Sequence, residues 1–403
     1  MTTTTDSAAS ARPRLRGLAR TLLPLSLMFL AVGMGTAVVF PFIALFLNTE
    51  LHAGPGRVTL FLVASPLAGV LVTTLVGRLS DRGPYRRWIL VIAALGGVTC
   101  TGLYTVVRDY WVLLALSVSV FALSGSLFPQ TFAYARQVLE RDSPDRAAFG
   151  ISAMRTVFSL AWVGGPALAA LLLDVGGFRL LYGVAAGLYL TAALVAVLRL
   201  ETLPAPPRET ADESSTPLTV PRPLLWATVA AFVLLQTPMT LAVQALPLFI
   251  SRDLHAEASA AGLILGLCAA LEIPLMLGLG ALTTRFRLST LVRIGAACAV
   301  VYYAIGWASP NVWVLAAAQP VNAAFIAAIS GVGITYMQDM MPGRPGHATT
   351  LFTNTFPIGA MLAGSLLGVA AHFGYRSAWA ISTGLCLAGL LLLLVARARR
   401  TAR

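Results

Sequence analysis

The chain has 403 residues, 58% of them hydrophobic and only 11% charged, against roughly 25% charged in a soluble domain. A soluble core of this length cannot hide so much apolar surface, so the excess must face lipid. The net charge of +12 comes from 28 basic residues, all of them arginine. Basic stripes that bind nucleic acid lie on a soluble face with aromatics between them, and no such stripe is present, so no nucleic-acid partner is expected.

Twelve apolar runs follow one another, roughly at 21–48, 57–80, 88–107, 111–138, 147–173, 178–199, 224–250, 258–283, 289–308, 311–338, 348–372 and 376–396. Each is long enough to cross about 30 Å of hydrocarbon as a helix. The fold class predicted is therefore an all-α membrane protein of twelve transmembrane helices. The first run is too long for a cleaved signal and is read as retained. Arginines gather in the N-terminal tail (Arg12, Arg14, Arg16, Arg20), after the second run (Arg78, Arg82, Arg86, Arg87) and in the C-terminal tail. Alternate loops together hold 22 of them, against five in the opposite loops (Arg57, Arg108, Arg179, Arg252, Arg376). The excess of positive charge predicts that both termini are cytoplasmic, and the all-arginine usage with high Ala, Gly and Leu content points to a GC-rich bacterial genome and so to a bacterial inner membrane. The four cysteines (Cys100, Cys268, Cys298, Cys386) all fall inside apolar runs. Their spacing suggests neither a disulfide framework nor a metal site, and no metal or cofactor is expected.

The two halves of the chain echo each other. Gly77 to Trp88 (GRLSDRGPYRRW) reads against Gly280 to Leu291 (GALTTRFRLSTL), 203 positions on (280 − 77). At the same offset Phe46 to Ala53 reads against Phe249 to Ala256, and Gly177-Phe178-Arg179 is echoed by Gly374-Tyr375-Arg376. A polytopic protein of two homologous halves has an axis between them and a site on that axis. The apolar rhythm breaks once, from Thr202 to Pro223, where six prolines mix with Glu209, Asp212 and Glu213. That composition predicts a cytoplasmic linker over 202–223, between halves at 1–201 and 224–403.

A six-plus-six duplication with such a linker, and the Gly, Asp-Arg and paired basics of GRLSDRGPYRRW, resemble the major facilitator superfamily. Gly77, Asp81, Arg82 and Arg86 are the expected gating residues. Gly77 would let the second helix approach a neighbour closely. Asp81 would accept from the amides at a neighbouring helix N-terminus or pair with Arg82 and Arg86. Thr284 stands at the equivalent place in the second half, so the latch is expected to be asymmetric. Three further stretches resemble the sugar efflux transporter group: MRTVFSLAWVGGP from Met154, LEIP from Leu271 and QDMMPGRPGHATTLFTNT from Gln338. The resemblance implies export of lactose, glucosides, galactosides and thio-sugars by proton antiport. Gly164-Gly165-Pro166 resembles an antiporter motif without its full glycine pattern.

Read bottom-up, Glu272 lies near the middle of the eighth run and Arg155 about eight residues into the fifth. Each charge would cost roughly 2.5–3.5 kcal/mol or more unless paired or facing water. In the family's fold these helices meet across the two-half interface, so Glu272 and Arg155 are the expected proton-coupling pair. A static tie, or Glu272 binding substrate hydroxyls directly, are the competing readings. In the superfamily helices 1, 4, 7 and 10 line the cavity, so their polar residues are candidate ligands. Gln236, Thr240 and Gln244 share one face of the seventh helix, and Gln319 and Asn322 lie three apart in the tenth. Gln130 in the fourth and Asn354 in the eleventh join them. Amides both donate to and accept from sugar hydroxyls, and Phe128 and Trp162 offer ring faces to a sugar's C–H side. The bland reading is that such amides bond to neighbouring helices, worth about 0.6 kcal/mol each. His372 reads as an interfacial residue. Pro24, Pro41, Pro129, Pro238, Pro247, Pro274 and Pro357 fall inside helices and are expected to bend them.

The function expected is secondary active transport by alternating access, with a sugar or glycoside, protons and the bilayer as partners and a monomer as the unit. A multidrug antiporter is the alternative within transport, and a non-transporting receptor the alternative outside it. No nucleophile elbow, phosphate loop or metal cluster supports an enzyme.

Overall fold

The computed structural model describes residues 6–80, 82–142, 147–204, 221–341 and 345–401. Asp81 and most of the expected linker lie outside the described residues, and so does the side chain of Arg155. In chain order the helices are α1 (Asp6–Val39, a tight turn at Phe40–Phe42, then Ile43–Thr49), α2 (Pro55–Ser80) and α3 (Arg86–Tyr104). Next come α4 (Tyr110–Leu116, a wide turn at Ser117–Phe121, Ala122–Ser124, then Leu127–Asp142) and the two arms of Ala147–Arg199, α5 and α6. The rest are α7 (Arg222–Arg252), α8 (Ala260–Leu282) and α9 (Leu288–Ala308). They are followed by α10 (Val312–Ala317, Gln319–Ile326, a wide turn at Ala327–Val332, then Gly333–Met340), α11 (Pro345–Phe373) and α12 (Arg376–Thr401).

Eleven of the described helical stretches are long and apolar enough to cross a membrane. One of them, Thr156–Arg199, makes two crossings, because Gly177 breaks it with φ 63° and ψ −160°. Only a residue without Cβ takes that backbone without strain. The twelve expected crossings are therefore present.

The echo in the sequence is also an echo in the backbone. His52 and His255 both take left-handed φ, 48° and 51°. Each ends a helix in which a later amide reaches back six residues, Ala53 N to Leu47 O at 2.9 Å and Ala256 N to Ile250 O at 3.0 Å. Gly374 (φ 88°) turns the chain between α11 and α12 as Gly177 does between α5 and α6. Asp109 caps α4 through Val112 N and Asn311 caps α10 through Trp313 N and Val314 N. Phe46 packs edge-on against Tyr182 with centroids 4.8 Å apart, and Phe249 meets Trp379 at 4.5 Å.

Five of the seven tryptophans, Trp88, Trp111, Trp226, Trp307 and Trp313, are exposed. All stand at the first or last turns of α3, α4, α7, α9 and α10. That is the belt that amphipathic rings form at membrane surfaces. Of the prolines expected to bend helices, Pro41 sits in the tight turn that interrupts α1. Pro129 sits instead in the first turn of Leu127–Asp142, where a missing N–H removes no helical hydrogen bond.

The helices converge at the end of the molecule away from the termini. There Gly262 and Gly266 of α8 lie against the backbone carbonyls of Pro166 and Val163 on α5. Gly364 and Gly368 of α11 lie against Leu62 and Thr59 on α2. Arg252 donates to Asn48 Oδ1 at 3.0 Å across the same end. From these contacts the paired helices diverge toward the end that carries the termini. Gly77, on the diverged part of α2, has no neighbour within 4 Å of a Cβ placed on it. Among the described residues, the close approach expected at Gly77 is not made in this conformation.

Candidate functional site

Two chambers open between the diverging helices. The first, about 460 Å³, lies between α5, α7, α8, α9 and α10 and holds Glu272. Around the acid stand Ser159 and Trp162 of α5, Thr240 of α7, Cys268 of α8, Tyr302 of α9 and Asn322 of α10. Phe128 and Phe158 close one side, their ring centroids 4.3 Å apart. The second chamber, about 480 Å³, lies between α1, α2, α4, α7 and α11. Its walls are mostly apolar, from Ile43, Phe61, Pro66 and Phe121, with Thr36, Ser65, Thr73, Gln244 and Asn354 among its polar side chains. Phe40 and Phe356 line both chambers and form the aromatic partition between them.

The acid chamber has the chemistry of a polar ligand site. Thr240 Oγ1 and, beside the partition, Gln244 Oε1 are buried with no hydrogen-bond partner among the described residues. A buried polar atom without a partner costs about 1–3 kcal/mol, so such atoms mark places where something else supplies the bond. Among the described residues Glu272 has no ion-pair partner. No group of three or more potential metal-ligating side chains occurs among the described residues.

The structure divides the residues expected from the sequence. Glu272, Thr240, Asn322, Phe128 and Trp162 meet in the acid chamber, and Gln244 and Asn354 in its neighbour. The stripe on α7 does not act as one surface: a four-residue step overshoots the 3.6-residue turn by about 40°, so Gln236, Thr240 and Gln244 drift round the helix. Gln236, 4% exposed, faces α11 and donates to Thr355 Oγ1 at 3.5 Å. Gln319 stands behind Asn322 rather than on the wall. Gln130 lies in neither chamber, its Oε1 accepting from Ser80 Oγ at 2.8 Å. In this conformation Gln236 and Gln130 each bond to a side chain of a neighbouring helix. Tyr302, Ser330 and Cys268 were missed, although a phenol at membrane depth in the ninth run was a legible signal.

The gating cluster is partly described. Arg86 is buried and donates through Nε to Ser80 Oγ at 3.0 Å, and through Nη1 to Gln137 Oε1 at 2.9 Å and Ala133 O at 3.3 Å. It therefore ties α2, α3 and α4 together inside the first half. Arg82 is exposed. Gln137 in turn donates to Pro204 O at 2.8 Å, and Tyr134 OH bonds both backbone groups of Glu201. Leu200 and Leu203 are buried beside them, so the chain leaving α6 is strapped to α4 as far as Pro204, within the first residues of the expected linker.

The family model of the Major Facilitator Superfamily matches residues 25–297 and 228–403. Sugar efflux transporter A of Dickeya chrysanthemi is 35% identical over 361 residues, 87% of this chain and 90% of that protein. Sugar efflux transporter B of Salmonella typhimurium is 32% identical over 402 residues, 95% of this chain and 98% of that one. Among solved structures, a point mutant of the nucleoside transporter NupG superposes with a TM-score of 0.80 at 12% identity, covering 93% of this chain and 99% of that one. A bacterial homologue of the human lysosomal transporter Spinster, inward-facing and unoccupied, gives a TM-score of 0.72 at 16% identity, covering 94% and 95%. At these identities the solved structures speak for the fold alone.

Proposed function

Because this chain belongs to the major facilitator superfamily and, within it, to the sugar efflux transporters, we propose that it exports sugars and glycosides from the cytoplasm in exchange for protons. The observation that carries this reading is the acid chamber: one carboxylate at membrane depth, ringed by hydroxyls, an amide and aromatic rings. A pyranoside needs that mixture, since its hydroxyls seek polar partners and its C–H faces seek rings. Lactose, glucosides and thiogalactosides are the proposed cargo, and Glu272 the proton carrier.

The halves at 1–201 and 224–403, joined by the linker 202–223, rock against each other around the site between them. The closed end, where α8 meets α5 and α11 meets α2, faces outward, and the chambers open to the cytoplasm together with both termini. Arg155 releases the proton by pairing with the Glu272 carboxylate. Asp81, with Arg82 and Arg86, latches the cytoplasmic ends when they close. The setting is a bacterial inner membrane and the unit a monomer.

Counterflow of a radiolabelled β-galactoside into proteoliposomes loaded with unlabelled sugar tests cargo apart from coupling. Transient accumulation is expected in the native protein and in Glu272→Gln, with pH-driven transport lost in the variant. Driven transport that survives Glu272→Gln would remove the acid from the coupling role. The apolar second chamber favours one other reading, a multidrug antiporter. Competition by lipophilic cations, with none by sugars, would select it.

A further inference from the structure

Four side chains, three on the wall of the acid chamber and Gln319 behind it, form a hydrogen-bond chain whose direction is set by one group. Gln319, 1% exposed, donates from Nε2 to Leu315 O at 2.9 Å and to Tyr302 OH at 3.3 Å. A backbone carbonyl can only accept, so this end of the Gln319 amide must be its NH₂. Its Oε1 then accepts from Asn322 Nδ2, three residues on in the same helix, at 3.0 Å. The same Nδ2 donates to Cys268 Sγ on α8 at 3.2 Å. Both hydrogens of Asn322 are thus spent inside the protein. Asn322 lines the chamber, and its carbonyl oxygen is the polar atom left to face it.

We infer that Gln319 is a positioning residue that locks Asn322 with its oxygen toward the acid chamber, where it accepts the hydrogen of one ligand hydroxyl. An amide free to turn could serve a ligand donor or a ligand acceptor equally. A locked one reads only donors. Cys268 stands one turn from Glu272 on the same face of α8, so Asn322, bonded to that sulfur, lies on the α10 wall beside the acid's own helix. The consequence is selectivity for a ligand that presents a hydroxyl hydrogen there, over one that carries an acceptor of the same size.

The ligand half of this inference rests on the sugar-transport reading; the orientation of the amide does not. The test of the first is competition against labelled β-galactoside counterflow by single deoxy and deoxyfluoro methyl β-galactosides. Fluorine keeps the size and accepts weakly but cannot donate. At one ring position both analogues should compete about tenfold or more worse than the parent. In Gln319→Leu, where Asn322 can turn, the deoxyfluoro penalty should shrink toward one while the other positions keep theirs. Deoxyfluoro analogues that compete like the parent at every position would overturn the inference. So would a Gln319→Leu variant that weakens all competitors alike, the mark of a merely structural residue.

The second test needs no ligand. With Cys100, Cys298 and Cys386 replaced by alanine, the infrared S–H stretch of Cys268 reports which way Asn322 faces. If the sulfur accepts from Nδ2, Asn322→Leu leaves the S–H group no freer than before and the band does not rise. A band that rises toward that of an unbonded thiol would mean the S–H had been donating to the Asn322 oxygen, and the lock would be refuted. Absence of any galactoside counterflow would count against the transport reading, and the S–H band would still decide the orientation.

Discussion

The closed end should open if a single methyl is placed where two backbones touch. A Cβ built on Gly266 would stand 2.8 Å from Val163 O, and one built on Gly364 would stand 2.8 Å from the Leu62 carbonyl. Ordinary contacts between carbon and a carbonyl oxygen run at about 3.3–3.6 Å, so each helix pair must part by several tenths of an ångström. Neither obstacle is a flexible side chain. Overpacking of this kind costs about 1–3 kcal/mol, and 1.4 kcal/mol is tenfold in an equilibrium. The penalty falls only on the conformation in which α8 meets α5 and α11 meets α2. Gly266→Ala or Gly364→Ala should therefore shift the balance toward the opposite conformation by about 5- to 150-fold. The two sites share no residue, so their effects should add in the double variant, to about 2–6 kcal/mol.

The assay uses spin labels at His52→Cys and His255→Cys, exposed positions of the two halves at the closed end, with the four native cysteines replaced. The distance distribution between the labels should gain a longer component in each variant and be dominated by it in the double variant. An unchanged distribution in a folded double variant would refute the claim that these glycines set the packing of the closed end.

Thr240→Val keeps shape and removes a buried hydroxyl without a partner. It should raise the melting temperature of the empty protein, by about 1–3 kcal/mol of stability, while lowering ligand affinity; a parallel loss of both would make Thr240 a packing residue. Tyr134→Phe removes both bonds that hold Glu201, at 3.0 and 2.9 Å. It should cost about 1–3 kcal/mol in all and speed protease cleavage after residue 200, measured by timed limited digestion. Asn311→Ala removes the cap of α10. A loss of about 1 kcal/mol is expected in thermal unfolding, with counterflow rate little changed.

Much of the fold was legible in the sequence because the bilayer is a one-dimensional filter. A run of about 20 apolar residues can satisfy its backbone only as a helix, so counting runs counts crossings. The repeat was equally legible: the Leu-His-Ala and Gly-aromatic-Arg echoes mark turns whose backbone angles recur in both halves. Glu272 stood out because a charge at membrane depth is costly wherever it points. Tertiary structure alone decided which neutral polar residues share a cavity. Gln236, Thr240 and Gln244 are one stripe by spacing, yet the packing of α11 takes the first, the acid chamber the second and the apolar chamber the third. An amide costs little in a helix whether it meets a neighbour or a void, so composition carries no sign of which it meets. The partition by Phe40 and Phe356, and the direction of the amide chain through Gln319, likewise depend on contacts between helices far apart in the chain. Periodicity describes one helix at a time, whereas a site between helices is a property of how they pack.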